Sequence, residues 1–213
     1  FAFAIWDAEK RRLFCARDRL GVKPFHYARH GERFLFASEV KALLTAGVPA
    51  EPDGESWALY LTHGVYELPG QSFFRDVKTL LPAHAMTVAA DGTQKQWRYW
   101  DLAERARESL GVDDDTAADE VRALLEDSVR LRLRADVPVG VMLSGGLDSA
   151  AVMTTVDRFL PQGGEIETFT GVFGDPRYDE DDFSGKVPCQ ARWRRNLASF
   201  PVKKAWELTN QAI

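Results

Sequence analysis

Val137-Pro-Val-Gly-Val-Met-Leu143 runs directly into Ser144-Gly-Gly-Leu-Asp-Ser149; the apolar segment Ala150 to Leu160 follows, and then Ile166 to Phe173. The first run is short, apolar and rich in β-branched residues, which predicts a strand buried on both faces. The glycine-containing loop opens the Ala150–Leu160 helix, and Ile166 to Phe173 reads as a second strand. Strand, loop, helix and strand within this length make a βαβ unit, whose sheet is expected to be parallel.

That order gives the loop its chemistry. A helix leaving the carboxyl edge of a strand points its first backbone N–H groups outward, where they have no partner inside the helix. The helix dipole adds positive potential at the same place. Gly145 and Gly146 let the backbone approach a ligand closely and adopt positive φ. Ser144 and Ser149 add hydroxyl donors, so the loop is an anion cradle suited to phosphate. No Gly-Lys-Ser/Thr follows, which excludes a Walker-type loop, and the glycine spacing is not that of the dinucleotide fingerprint. Asp148 fits a magnesium ligand or a cap in the first helical turn better than a phosphate ligand. The competing reading is an ordinary tight strand-to-helix turn.

Working outward, the acidic run Asp113-Asp114-Asp115 is the linker candidate, with Thr116 as an expected N-cap. Val121, Leu124, Leu125, Ser128 and Arg132 then follow helical spacing. Upstream, residues 1–46 read as strands and turns, with a hairpin around His30-Gly31 and a short helix over Glu39 to Ala46. A second helix is expected from about Glu55 to Thr62. Asp91-Gly92 between Met86–Ala89 and Thr93–Trp97 predicts another hairpin.

Composition narrows the function classes. Of 213 residues, 45% are apolar, enough to bury a core, and 27 basic against 32 acidic residues give a formal charge of −5. That balance argues against a general nucleic-acid binder, which needs a basic surface to release phosphate counterions. No apolar run is long enough to span a bilayer. Two distant cysteines, Cys15 and Cys189, fit neither a disulfide framework nor a metal site, and point to a reducing, cytoplasmic setting. The chain opens at Phe1 in a strand-like run with no initiator Met, which predicts that the start of the protein lies upstream.

The run Arg134-Ala-Asp-Val-Pro-Val-Gly-Val-Met-Leu-Ser-Gly-Gly-Leu-Asp-Ser149 resembles the ATP-pyrophosphatase motif of the glutamine-hydrolysing asparagine synthetase family. Thr168-Phe-Thr-Gly-Val-Phe173 and Tyr178-Asp-Glu180 resemble its next strand and acidic loop. Phe1-Ala-Phe-Ala-Ile-Trp-Asp7, Ala16-Arg-Asp-Arg-Leu-Gly-Val-Lys-Pro24 and Phe36-Ala-Ser-Glu-Val-Lys-Ala-Leu43 resemble the end of its glutaminase domain. Leu80-Leu-Pro-Ala-His84 and Tyr99-Trp-Asp101 fit the stretch between. The resemblance covers about residues 1–185.

It implies an α+β remnant of an N-terminal-nucleophile glutaminase (αββα) over 1–112. A truncated α/β ATP-pyrophosphatase domain of the adenine-nucleotide α-hydrolase-like type follows over 113–185. Residues 186–213 form an unassigned tail, because Trp193-Arg-Arg195 and Pro201-Val-Lys-Lys204 leave the family pattern. The implied chemistry is attack of the aspartate side-chain carboxylate on the α-phosphorus of ATP, loss of pyrophosphate, and displacement of AMP by glutamine-derived ammonia.

By the same resemblance Leu143, Ser144, Gly145, Gly146, Leu147, Asp148, Ser149 and Gly171 would hold ATP, with Leu143 and Gly171 near the adenosine. Asp148, Asp179 and Glu180 would serve Mg2+. ATP, aspartate and glutamine are the implied small-molecule partners, with a homodimer as the implied assembly and neither nucleic acid nor membrane. The family's cysteine nucleophile, its glutamine-binding residues and its downstream ATP-site motif are not in this chain, so the polypeptide alone is expected to be inactive and poorly soluble.

Three other readings share some of these features: a β-lactam synthetase-like or natural-product amidotransferase, a non-catalytic nucleotide-binding fragment, and a sulfurtransferase with a similar loop. Arg17, Asp18, Arg19 and Lys23 are expected to form structural ion pairs. Trp97, Tyr99 and Trp100 are expected to pack against protein and not to stack on bases.

Overall fold

The computed structural model describes residues 1–66, 68–108, 111–161, 164–175, 177–179, 184, 187 and 193–200. The chain divides into two units, Phe1–Leu110 and Gly111–Ile213, each with its own core.

The first unit is built from two antiparallel sheets. β1 (Ala2–Asp7), β2 (Arg12–Arg17), β6 (His84–Ala89) and β7 (Gln94–Arg98) form one, in that spatial order. β4 (Arg33–Ala37), β3 (His26–His30) and β5 (Val77–Thr79) form the other. Side chains alternate across each strand. Cys15, Met86 and Val88 from the first sheet therefore meet Phe25, Leu80, Tyr27 and Phe34 in one apolar layer. The opposite face of β3 and β4 carries Ala28, Leu35 and Ala37, which pack on Leu43 and Val40 of α1 (Val40–Thr45). The layer order is sheet, sheet, helix. α2 (Gly54–His63) begins with the Asp53 carboxylate accepting the Ser56 N–H at 2.9 Å and ends on Gly64 at φ 68°.

The Asp91-Gly92 turn joins β6 and β7, with Gly92 at φ 85° and Val88 opposite Gln94. Among the elements beyond the expected set are β5 and α3 (Leu102–Glu108). The four charged residues near Arg17 do not form the expected network of side-chain ion pairs. Arg17 donates instead to the carbonyls of Gly21, Lys23 and Leu80. Asp18 accepts backbone N–H groups from Leu20, Val22 and Lys23. A tight loop leaves many backbone groups to satisfy, and these side chains satisfy them. Arg19 lies over the Trp100 ring, 5.7 Å from its centroid. Trp97 packs against Phe14, and the Tyr99 hydroxyl donates to Arg17 O.

The second unit opens with α4 (Asp114–Arg132). Asp113, and not Thr116, is its N-cap: the Asp113 carboxylate accepts the Thr116 N–H at 2.9 Å and the Thr116 hydroxyl at 2.7 Å. The aspartate wins because it stands three residues before an N–H that needs an acceptor. β8 (Gly140–Met142), α5 (Leu147–Phe159) and β9 (Ile166–Val172) then form the βαβ unit, with β8 and β9 parallel.

Strand β8 is shorter than Val137–Leu143, since Pro138 has no N–H to give a ladder. It is also not buried on both faces. Val141 and Leu143 join Val129, Met153, Val156, Ile166 and Trp193 in the core under α4 and α5, whereas Met142, on the opposite face, is 74% exposed. β10 (Trp193–Ser199), inside the stretch read as an unassigned tail, pairs in parallel with β9, Trp193 opposite Ile166. The spatial order is β10-β9-β8. The Trp193 indole N–H donates to the Asp157 carboxylate on α5 at 3.0 Å, so the tail strand is tied to the same core.

Candidate functional site

Because β8 and β9 are parallel, the loop after β8 and the turn after β9 emerge at the same carboxyl edge of the sheet. Ligands in open α/β sheets collect at this edge.

The first loop is Ser144–Ser149. Leu143 anchors its base: the side chain is buried in the core, its N–H donates to Phe169 O at 2.8 Å, and its carbonyl accepts the Thr170 hydroxyl at 2.6 Å. Gly145 follows at φ 77°, in the left-handed region that favours glycine. Gly146 is the N-cap of α5 and provides no side-chain cap, whereas α2 and α4 are capped by carboxylates. The N–H end of α5 is thus left open where an anion would be stabilised.

The two serines gather at this opening. Ser149 Oγ lies 3.0 Å from Ser144 Oγ, accepts the Ser144 N–H at 3.3 Å and donates to Gly146 O at 3.0 Å. The Gly146 N–H reaches Ser144 Oγ at 3.4 Å. These contacts hold the hydroxyls beside the open N–H groups in the ligand-free loop. Leu147 and Asp148 occupy the first turn of α5 and are exposed.

The second loop follows β9. Gly171 lies on the sheet face opposite the α4–α5 core. A Cβ added there would stand 3.6 Å from Phe200 and 3.8 Å from Phe173, ordinary contact distances. Crowding by these neighbours therefore does not demand glycine at this position. The Asp179 carboxylate accepts the N–H groups of Phe173 and Gly174. Glu180 lies outside the described residues.

The structure therefore brings Leu143 to Ser149 together as one loop and places Gly171 and Asp179 at the neighbouring strand end. Among the described residues, no three acidic, histidine or cysteine side chains are grouped to hold a metal ion. Cys15, at 0% exposure in the first unit, is no nucleophile, because burial pushes its thiol up to about 12. Cys189 lies outside the described residues. His26 sits half-buried with Nδ1 3.1 Å from Thr79 Oγ1, and burial with the Arg17 charge lowers its pKa. Sequence reasoning missed the supporting hydroxyl of Thr170. Its signal is weak, since a threonine on a strand reads as ordinary β-propensity.

The glutamine amidotransferase domain family matches residues 1–100, and the asparagine synthase family matches residues 120–212, which include β10. Asparagine synthetase [glutamine-hydrolyzing] 3 of Bacillus subtilis is 46% identical over 184 residues, 85% of this chain and 29% of that protein. Asparagine synthetase [glutamine-hydrolyzing] 1 of the same organism is 32% identical over 182 residues, 85% of this chain and 28% of its own length. Amidase chry2 of Gibberella zeae is 34% identical over 175 residues, 81% of this chain and 25% of its own. The chain belongs to the glutamine-hydrolysing asparagine synthetase family. It spans between 25% and 29% of the length of these relatives. Among the described residues no helix is long and apolar enough to cross a membrane.

Proposed function

We propose that the second unit binds ATP with its pyrophosphate portion on the Ser144–Ser149 loop. The protein to which this chain belongs then makes asparagine from aspartate, with glutamine as nitrogen donor, through β-aspartyl-AMP. The observation that carries this reading is the uncapped N-terminus of α5 at the carboxyl edge of a parallel sheet, with Ser144 and Ser149 converging on it. Charge developing on departing pyrophosphate is stabilised by donors already in place, which is how preorganised sites lower a barrier.

Magnesium, when bound, neutralises phosphate charge. Asp148, exposed in the first turn of α5, is the described carboxylate that fits this task. The adenosine lies toward Leu143 and Gly171 in this reading. The sheet–sheet–helix layering of the first unit fits the αββα arrangement of an N-terminal-nucleophile glutaminase, with the boundary between domains near residue 112. The β10 pairing supports assigning part of the 186–213 stretch to the synthetase unit. A cytoplasmic setting and a homodimer complete the reading.

The same loop suits one alternative, adenylation of a carboxylate other than aspartate by a β-lactam synthetase-like or natural-product amidotransferase. The loop reads phosphate and leaves the acyl group open. The test is pyrophosphate release by the full protein containing this chain, supplied with ATP, Mg2+, ammonia and a series of carboxylates. Release that depends on aspartate supports asparagine synthesis, and release only with another carboxylate selects the alternative. Absence of pyrophosphate release with every carboxylate refutes both.

A further inference from the structure

The turn after β9 is organised around one side chain. β9 ends at Val172, and beyond it Phe173 and Gly174 present N–H groups that must find acceptors. One carboxylate oxygen of Asp179, Oδ1, accepts both, at 3.2 Å from the Gly174 nitrogen and closer still to that of Phe173. Gly174 turns the chain at φ 74°, and the Asp175 carbonyl accepts the N–H groups of Tyr178 and Asp179 at 2.9 Å each. The loop thus closes on itself and delivers Asp179 back to the strand end. The Asp175 carboxylate is engaged separately, with Arg177.

This arrangement suits a clamp. Two N–H dipoles converge on Oδ1, so this oxygen ties the carboxylate to the turn. What the clamp fixes is Phe173. That ring lies beside Gly171, with Phe200 tilted against it at a centroid distance of 6.0 Å. The turn thereby sets the position of the Phe173 ring beside Gly171.

We propose that Asp179 is a positioning residue, which holds Phe173 at the edge of the nucleotide site through two backbone hydrogen bonds. This rests on the ATP reading for its consequence, though not for its geometry.

Two substitutions separate the roles. Asp179→Asn keeps an oxygen acceptor and loses the charge, whereas Asp179→Ala loses both. Amide hydrogen exchange at Phe173 and Gly174 is measured without nucleotide. ATP affinity and the Mg2+ concentration for half-maximal ATP binding are then measured on the same proteins. The expected result is that Asp179→Asn retains slow exchange, ATP affinity and Mg2+ dependence close to those of the unsubstituted chain. Asp179→Ala is expected to speed exchange and weaken ATP binding by roughly tenfold or more, the size of a lost hydrogen bond to a charged group, with the Mg2+ midpoint unmoved. A Mg2+ midpoint raised equally by both substitutions overturns the proposal, as does unchanged exchange in Asp179→Ala. If the unsubstituted chain binds no ATP, the nucleotide reading fails, and the exchange result still decides the clamp.

Discussion

Replacing Gly145 by alanine is the most informative perturbation of the nucleotide loop. Gly145 sits at φ 77°, where an L-residue with a Cβ costs about 1–2 kcal/mol. Reduced freedom of the unfolded chain returns roughly 0.4–1 kcal/mol of that. The net expectation is a loss of about 1 kcal/mol of stability, or roughly 4–8 °C in the unfolding midpoint for a unit of this size. The same strain also pushes the loop out of its ligand-ready shape, so ATP affinity is expected to fall by roughly tenfold or more, the equivalent of about 1.4 kcal/mol.

Gly64→Ala supplies the control. Gly64 lies at φ 68° with nothing near its Cβ direction, closing α2 in the other unit. It carries similar strain with no link to the anion loop. Urea unfolding and calorimetric ATP titration are the assays. Gly64→Ala is expected to lose similar stability and keep full ATP affinity. Full ATP affinity in a destabilised Gly145→Ala chain would refute the claim that the loop holds the phosphates. No loss of stability in that chain would refute the claim that its left-handed turn is required.

Three further outcomes follow from the described contacts. Burial alone would raise the Asp18 pKa, but the N–H groups of Lys23, Val22 and Leu20 hold the carboxyl far below the usual range. A depressed folded pKa means the stabilisation is present above the ordinary carboxylate value and is lost as pH falls below it. Asp18→Ala is therefore expected to destabilise the first unit by roughly 3 kcal/mol at neutral pH, with the gap to the parent chain shrinking in acid; urea midpoints across pH measure this. Cys15 is expected to resist thiol reagents at pH 8 in the folded chain and to react fully after denaturation, measured by the kinetics of a colorimetric thiol assay. Asp113→Ala is expected to lower the stability of the second unit by about 1 kcal/mol through loss of the α4 cap, read from its urea midpoint.

Much of the candidate site is legible because its signals are local. The order of Val141, the two glycines and Ala150 encodes strand, turn and helix within a few residues, and the anion cradle follows from that order alone. The parallel pairing of β8 and β9 was legible for the same reason. What was not legible depends on distant partners. Asp179 reads as one of a run of acidic residues, and only the path of the turn shows its oxygen closing on Phe173 and Gly174. Charged residues near Asp18 read as ion pairs, yet loop backbone outcompetes side chains for them. Trp193 reads as a departure from pattern, and its place in the core becomes visible only with Asp157 and Ile166 beside it. The exposure of Met142 likewise depends on what covers the second face of the sheet, which an apolar run does not state.

The most direct measurement is a map of backbone amide signals of the chain as inorganic pyrophosphate, without nucleoside, is titrated in. The largest shifts are expected at Gly145, Gly146, Leu147, Asp148 and Ser149, with the same residues moving again when ATP replaces pyrophosphate. A titration that leaves these amides unmoved, while ATP binds and perturbs residues elsewhere, would contradict the claim that this strand-to-helix loop grips the phosphates.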